Sequence, residues 1–475
     1  MAWSTARKLA VLLSTLSLSA LMITCSGGSS SSTPAPGGSP GPGGPPTSQA
    51  YVVFAWNDLG MHCLNPAYDH AVILPPYNTV WAQVIRRGNP PQVVTAGVTV
   101  DYRVLDNTYS YGKVSAGNWN FSQFWDNMSA LFGTTRPHDK GLNLVDAGVQ
   151  NGLSGSMVAK TDHFQVNGIP LTPINDSDLA HENPYQVAEI SVKDAAGTVV
   201  AQTRATVPTS FEISCGLCHT GNSNALIDVI NKHNAGGTGV TLSTTAPVLC
   251  ASCHPSPALS SPGSGTPLPK YLSEAVHGFH AGKLTPGGAA ITCYNCHPGA
   301  TAKCNRSLRH TASDGNCTSC HGTMAEVASS VTSGARVPWV SEKSTCATCH
   351  NSAGAIAQVD TAGSLYRNAT GHGGLSCPAC HGSPHAMVPS SQASDNYQAH
   401  QYLGSLPGAA SAEKSIGSCG VCHSTSKGPG GGASTSDWAD QHAAETTSAC
   451  NVCHTGFTDP SNASKWPHQF QWKSR

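Results

Sequence analysis

The pattern Cys-x-x-Cys-His occurs eight times between residues 215 and 454. Scrambling the same composition would give about 0.03 copies in the whole chain, so the repetition is not accidental. Two thiols three positions apart can reach the two vinyl groups of one haem and form thioethers with them. The histidine that follows is carried under the ring, where its imidazole meets the iron. The sequence therefore predicts eight covalently bound haems of the c type.

Each motif supplies two haem-binding cysteines and one proximal histidine. The predicted haem-binding cysteines are Cys215, Cys218, Cys250, Cys253, Cys293, Cys296, Cys317, Cys320, Cys346, Cys349, Cys377, Cys380, Cys419, Cys422, Cys450 and Cys453. The predicted proximal iron ligands are His219, His254, His297, His321, His350, His381, His423 and His454. Zinc ribbons and thioredoxin-like pairs also use Cys-x-x-Cys, but neither requires a histidine directly after every pair. Haem is therefore favoured over both.

The sixth ligand of each iron decides between an electron carrier and an enzyme. Nine further histidines lie in the same part of the chain as the motifs. The predicted distal ligands are His233, His277, His310, His372, His385, His400, His442 and His468. The ninth, His280, ranks last because it is so close to His277. Iron with histidine on both sides has no open position for a small substrate, so the surplus of histidines favours electron transfer.

The N-terminal segment predicts export. In residues 1–24, Arg7 and Lys8 precede an apolar run too short to span a bilayer comfortably, which is typical of a signal peptide. Residues 25–50 begin with Cys25 and continue as a Gly/Ser/Pro-rich tether. This arrangement resembles a bacterial lipoprotein, and the resemblance implies a lipid on Cys25 and sorting to the outer membrane or cell surface. The alternative is ordinary cleavage beyond Cys25, which would leave the chain periplasmic or extracellular.

Residues 51–210 are predicted to form a β-sandwich, with an immunoglobulin-like topology as one option. Strand-like runs at 52–56, 80–85 and 187–204 support this prediction, and no helical stripe of comparable length competes. The segment 194–197 and the pair Asn167 and Gly168 are typical of hairpin turns.

Residues 211–475 are predicted to form a haem-packed domain of coil and short helices. The motifs start 24 to 43 residues apart, which leaves room for a short helix or a loop but not for a sheet. Aromatic residues make up 6% of the chain, and 49 glycines and 32 prolines leave an ordinary side-chain core thin. The haems must therefore supply much of the core themselves.

Two cysteines, Cys63 and Cys304, belong neither to a motif nor to the export signal. Unpaired thiols are uncommon outside the cytoplasm, so we predict a disulfide between them. An expanded haem attachment that uses Cys304 with Cys320 is the alternative. The segment 57–63 places Asp, His and Cys together, and we interpret it as a turn with a structural cysteine rather than a catalytic loop.

The charge balance excludes some partners. The chain has 25 Lys and Arg against 26 Asp and Glu, a net charge of −1, and only 11% charged residues. This gives no electrostatic basis for binding nucleic acid or for a bulk attraction to membranes. Donor and acceptor redox proteins, or minerals, are the partners that haem chemistry favours.

The motifs resemble those of the octahaem and other multihaem c-type cytochromes that metal-respiring anaerobic bacteria export as lipoproteins. The run from Cys377 to His385, followed by residues 395–398 and a further motif at Cys419, resembles a stretch that recurs in those proteins. The segment 57–63 resembles part of an N-terminal module attached to some of them. The resemblance implies that His385 is a distal ligand. It also implies transfer of respiratory electrons across the envelope to metal oxides or partner cytochromes.

Two other functions stay open at this point. An octahaem reductase or dehydrogenase of small nitrogen or sulfur compounds would need one open or lysine-ligated haem, and the sequence contains no Cys-x-x-Cys-Lys variant. A filament-forming haem protein would use self-association, which some members of the resembled family show.

Overall fold

The structure, a computed structural model, describes residues 50–88, 90–114, 119–256, 259, 270–283, 291–308, 310, 317–333, 351–352, 355–356, 368, 370–403, 421–423, 454–455 and 471–472. These residues all lie within one unit, Pro42–Arg475. The predicted signal peptide and the tether with Cys25 lie outside the described residues. So do Cys346, Cys349, His350, Cys419, His442, Cys450, Cys453 and His468. For His372 and His454 only the backbone is described.

Strands dominate the described chain up to residue 210. The strands are β1 (Tyr51–Trp56), β2 (His62–Cys63), β3 (Ala71–Val72), β4 (Asn78–Arg86), β5 (Gln92–Val94), β6 (Thr99–Val104), β7 (Ser154–Ser156), β8 (Val158–Ala159), β9 (Phe164–Ile169), β10 (Val187–Lys193), β11 (Val199–Thr206) and β12 (Thr209–Ser210). Two short helices interrupt them, α1 (Ser122–Asp126) and α2 (Met128–Phe132).

Two antiparallel sheets contain most of these strands. One has the order β1-β4-β9-β8 with β5 paired to β4, and the other has the order β11-β10-β6-β7. Side chains from both sheets, such as Val84, Val166 and Ile190, share one buried apolar cluster. Burying a side chain of this size is favourable by about 1.5–3 kcal/mol, so this cluster is the main apolar core of this part of the chain.

The two turns expected from the sequence have different outcomes. Residues 194–197 lie between β10 and β11, and Gly197 has the positive φ, +82°, that such a turn favours. The pair Asn167 and Gly168 is not a turn, because both residues lie within β9. Gly168, at a φ of +75°, is skipped in the pairing of β9 with β4 and forms a bulge.

Beyond residue 210 the described chain consists of short helices, two-residue strands and connecting coil. The helices are α3 (Ala225–Ala235), α4 (Leu272–Ala281), α5 (Cys317–His321), α6 (Met324–Val327), α7 (Ser330–Ser333), α8 (Cys377–His381) and α9 (Tyr397–Leu403). The strands are β13 (Val248–Leu249), β14 (Asn351–Ser352), β15 (Ala355–Ile356), β16 (His454–Thr455) and β17 (Gln471–Trp472). Single turns of 3-10 helix are formed by Ser214–Leu217, Cys250–Ser252, Cys293–Asn295, His372–Gly374 and Ala393–Asn396.

The architecture as described is mixed α/β, with several antiparallel sheets and a few short helices. Within the described ranges, no helix combines the length and the apolar character needed to cross a membrane.

The strand-rich part contacts the motif-bearing part at defined places. The parallel pair of β3 and β13 holds the segment that leads directly into the motif at Cys250. One face of the first sheet, with Phe54 and Trp81, packs against Ala379 and Val421, which lie inside two other motifs. The sheets therefore fix the starting points of several motifs.

Candidate haem-ligating histidine pairs

Each described Cys-x-x-Cys-His motif with a complete backbone folds as a single helical turn. In the motifs that start at Cys215, Cys250 and Cys293, the histidine amide donates to the carbonyl of the first cysteine at 2.9 Å. The motifs that start at Cys317 and Cys377 form α5 and α8. Residues three apart on a helical turn lie on the same side. The two thiols of a motif therefore face one side, as attachment to a single ring requires.

Three proximal histidines each lie opposite a second histidine at nearly the same separation. The pairs and their ring-centre distances are His219 and His280 at 6.4 Å, His297 and His277 at 6.0 Å, and His321 and His385 at 6.0 Å. A ligating imidazole nitrogen lies about 2 Å from its metal, and the ring centre lies about 1.2 Å further. Two imidazoles on opposite sides of one metal therefore have ring centres about 6 Å apart. The three pairs fit an iron held between two histidines.

The Nδ1 atoms of four histidines in these sites are bound to oxygen atoms. The contacts are His219 to Asp228 Oδ2 at 3.1 Å, His254 to the Lys270 carbonyl at 3.1 Å, His277 to the Ser273 carbonyl at 2.6 Å, and His280 to the Val276 carbonyl at 2.7 Å. A ligating histidine usually donates its second ring N–H to such an oxygen, which fixes the tautomer and the orientation of the ring. Nε2 is then the nitrogen that faces a metal.

Helix α4 carries two of the opposing histidines, His277 and His280. The first lies opposite His297 and the second opposite His219, so one helix serves two motifs. From sequence alone His280 is the weakest candidate, because it is so close to His277. The spacing of three residues was in fact the informative signal, because it places both rings on one side of a helix.

Burial keeps two of these histidines neutral. Burial, and then the nearby His277, lowers the pKa of His297 to about 4. Burial, and then the nearby His321, lowers the pKa of His385 to about 3, and the backbone of Leu59 opposes that shift. A neutral imidazole is the form that binds a metal. Both residues are therefore in the ligating form at neutral pH.

His233 and His254 are near enough for their charges to interact. Burial, and then the charge of the neighbouring His254, lowers the pKa of His233. His233 lies in the last turn of α3, a helix whose first turn is capped by the Asn224 side chain. His233 therefore stands at the C-terminal end of a capped helix, in the electrostatic neighbourhood of the motif at Cys250.

The first four motifs are neighbours in space. Cys215, of the first motif, is close enough to Cys250 of the second and Cys296 of the third to disfavour a second thiolate charge. His297, of the third motif, is similarly close to His321 of the fourth. The first motif therefore neighbours the second and the third, and the third neighbours the fourth.

The other described histidines of the predicted set have different surroundings. His310 hydrogen-bonds through Nδ1 to the Ser307 hydroxyl at 3.2 Å. His400 is exposed on α9. His423 is buried, and its backbone bridges to Gly88. The three ring pairs do not include these residues.

The sheet face beside α8 offers a further test of fit to haem. Trp56 and Trp81 are 2% and 5% exposed, and their indole N–H groups have no hydrogen-bond partner among the described residues. A buried N–H without an acceptor is costly. Haem carries propionate carboxylates, which are strong acceptors. Both tryptophans pack in the same cluster as Ala379 of the motif at Cys377, so these donors suit a haem at that motif.

Cys63 and Cys304 lie close together, both as thiols. Burial raises the pKa of both, that of Cys304 to about 11, and the proximity of Cys304 further raises the pKa of Cys63. The nearby Glu212 also raises the pKa of Cys63. Its carboxylate accepts hydrogen bonds from the amides of Gly299 and Ala302 at 3.2 Å each. The proximity is compatible with the predicted disulfide, which stays a prediction.

In the described parts of the chain, no group of three or more His, Cys, Asp or Glu side chains could hold a metal ion. Three of the described histidines of the motifs instead occur in pairs, each with a second histidine. No known protein family, no curated protein and no solved structure matches this chain.

Proposed function

We propose that this chain is an electron-transfer protein that carries eight covalently attached haems c. The observation that carries the proposal is the separation of 6.0 to 6.4 Å in three histidine pairs, each with one member directly after a Cys-x-x-Cys turn. A bound haem supplies an iron that gains and loses one electron. The protein supplies the two axial imidazoles and the oxygens that orient them.

The paired histidines argue for an electron carrier over a reductase. When both axial positions belong to the protein, no small molecule can reach the iron without displacing a ligand. Because the first four motifs are neighbours in space, haems bound to them would form a continuous path for electrons. No described contact favours the alternative of one open haem, and none favours a filament.

The finer architecture belongs to the same proposal. We propose that the two sheets within residues 51–210 form a β-sandwich and that residues 211–475 form a haem-packed domain. Export through residues 1–24, a lipid on Cys25 and a tether over residues 25–50 would place the protein at the outer membrane or cell surface. Its partners there are donor and acceptor redox proteins or metal oxides, in accord with the family that the motifs resemble.

The test is spectroscopy on the purified full-length protein. Haem content after alkaline pyridine treatment should be about eight per chain, and electron paramagnetic resonance should show low-spin iron. Carbon monoxide should leave the reduced spectrum unchanged. A chain without covalent haem would refute the proposal. One high-spin haem that binds carbon monoxide or nitrite would favour the reductase instead.

A further inference from the structure

The segment 57–63 of the strand-rich part has no role in the proposed function so far, yet it contacts a histidine of the haem region. Gly60 has a φ of +82°, and a Cβ placed on it would lie 2.4 Å from His385 Nδ1, 3.1 Å from its Cγ and 3.2 Å from its Cβ. The first of these distances is shorter than real Cβ contacts, and the other two are tighter than most of them. Only a glycine lets the backbone approach the imidazole this closely.

The segment is held rigidly where it meets the ring. The Asn57 side chain is fully buried and donates to the Thr79 carbonyl at 2.8 Å. Its Oδ1 accepts hydrogen bonds from the amides of Leu59 at 3.0 Å and Gly60 at 2.7 Å. The turn is thereby anchored to β4, so the position of Gly60 is set by the first sheet.

The backbone of His385 is held from the other side. Its carbonyl accepts a hydrogen bond from the Arg306 amide at 2.7 Å. Arg306 in turn pairs with Asp395 at 2.7 Å, with both side chains almost completely buried. The ring of His385 therefore has its backbone fixed by one element and its Nδ1 edge fixed by another. The His385 ring lies 6.0 Å from the His321 ring, measured between ring centres.

We propose that the turn Asn57–Gly60 is a positioning element that aims His385 at the iron of the motif at Cys317. This inference rests on the proposed function, because it assumes a haem between His321 and His385. Its consequence is that ligation at this one site depends on the fold of the strand-rich part. By contrast, the orienting oxygens of His219, His254, His277 and His280 all come from residues beyond 210.

The test compares Gly60→Ala with Gly197→Ala in the full-length haem-loaded protein. Both glycines have a φ of +82°, but a Cβ on Gly197 meets nothing within 4 Å. The two variants therefore place alanine at the same unfavourable φ, and only in Gly60→Ala does the new Cβ clash with the His385 ring. We expect Gly60→Ala to convert one haem from low-spin to high-spin or to shift its low-spin resonance, with about one additional carbon monoxide bound per chain. Gly197→Ala should match the wild type.

A double-mutant cycle with His385→Gly separates positioning from general damage. If Gly60 acts through His385, adding Gly60→Ala to His385→Gly changes the haem spectrum no further. If Gly60→Ala alone does not accumulate in the cell, the double variant should still reach the same yield as His385→Gly. The reason is that the ring that meets the new Cβ is absent from both. Additive spectral effects, a Gly60→Ala spectrum equal to that of Gly197→Ala, or equal disturbance of several haems would each overturn the proposal.

Failure of the inference and failure of the proposed function give different results. If the wild-type chain carries no haem, the proposed function fails before any variant is compared. If the wild type carries low-spin haems and Gly60→Ala leaves all of them unchanged, the positioning role alone is refuted.

Discussion

Residues 51–210 and the described residues beyond 210 bury apolar surface in different ways. The first part gathers 21 buried side chains into one cluster between two sheets. Beyond residue 210, the buried members of any cluster are few, such as Leu226 and Ile230 on α3 and Tyr402 on α9. A chain with so few apolar contacts needs another source of cohesion. The difference is what the proposed haems would explain, with side chains holding the first part and haems holding the second.

The largest difference between the two parts should appear when the protein is produced without haem. In a host without cytochrome c maturation, the full chain should lose ordered structure beyond residue 210 and keep its strands before it, because ligand binding is coupled to folding. Limited proteolysis followed by mass spectrometry should leave a resistant fragment of roughly residues 51–210. Equal digestion of both parts, or equal resistance, would refute the division.

A core substitution tests the other half of the comparison. Ile190→Ala empties a fully buried position on β10 and should lower the free energy of unfolding by about 2–5 kcal/mol. Val199→Ala, at a residue that is 50% exposed, is the matched control and should change it by about 0.5 kcal/mol or less. Denaturant unfolding followed by the strand signal in circular dichroism measures both. Similar losses for the two variants would contradict the proposed core.

The predicted disulfide between Cys63 and Cys304 would join the two parts covalently. Cys63→Ser should then lower the free energy of unfolding by about 2–4 kcal/mol. Thioethers resist reduction, so maleimide labelling of the unfolded protein should find two more thiols per chain after reduction than before, both in peptides with Cys63 or Cys304. Labelling of both cysteines without reduction would exclude the bond.

The sequence was informative where chemistry is local. The Cys-x-x-Cys-His motifs can be located in the sequence because attachment of one haem needs two thiols and an imidazole within five residues. The histidine near each motif could not be assigned from sequence, because His280 and His385 lie more than 60 residues along the chain from His219 and His321. The bulge at Gly168 was mistaken for a turn because a glycine with positive φ serves both structures. The close approach of Gly60 to His385 depends entirely on tertiary packing.

Substitutions of the two histidines on α4 should have the smallest effects on folding, and each should affect a single haem site. His277→Ala and His280→Ala should each open one haem, the first opposite His297 and the second opposite His219, with little change in stability because helix α4 tolerates alanine. Each variant should bind about one carbon monoxide per chain, and the double variant about two. His181→Ala, at a side chain that is 81% exposed in the strand-rich part, is the control and should bind none. If either single variant opened several haems at once, the haem region would behave as one cooperative unit rather than as a series of separately ligated sites. Its cohesion would then depend on the axial ligands as well as on the haems that they hold.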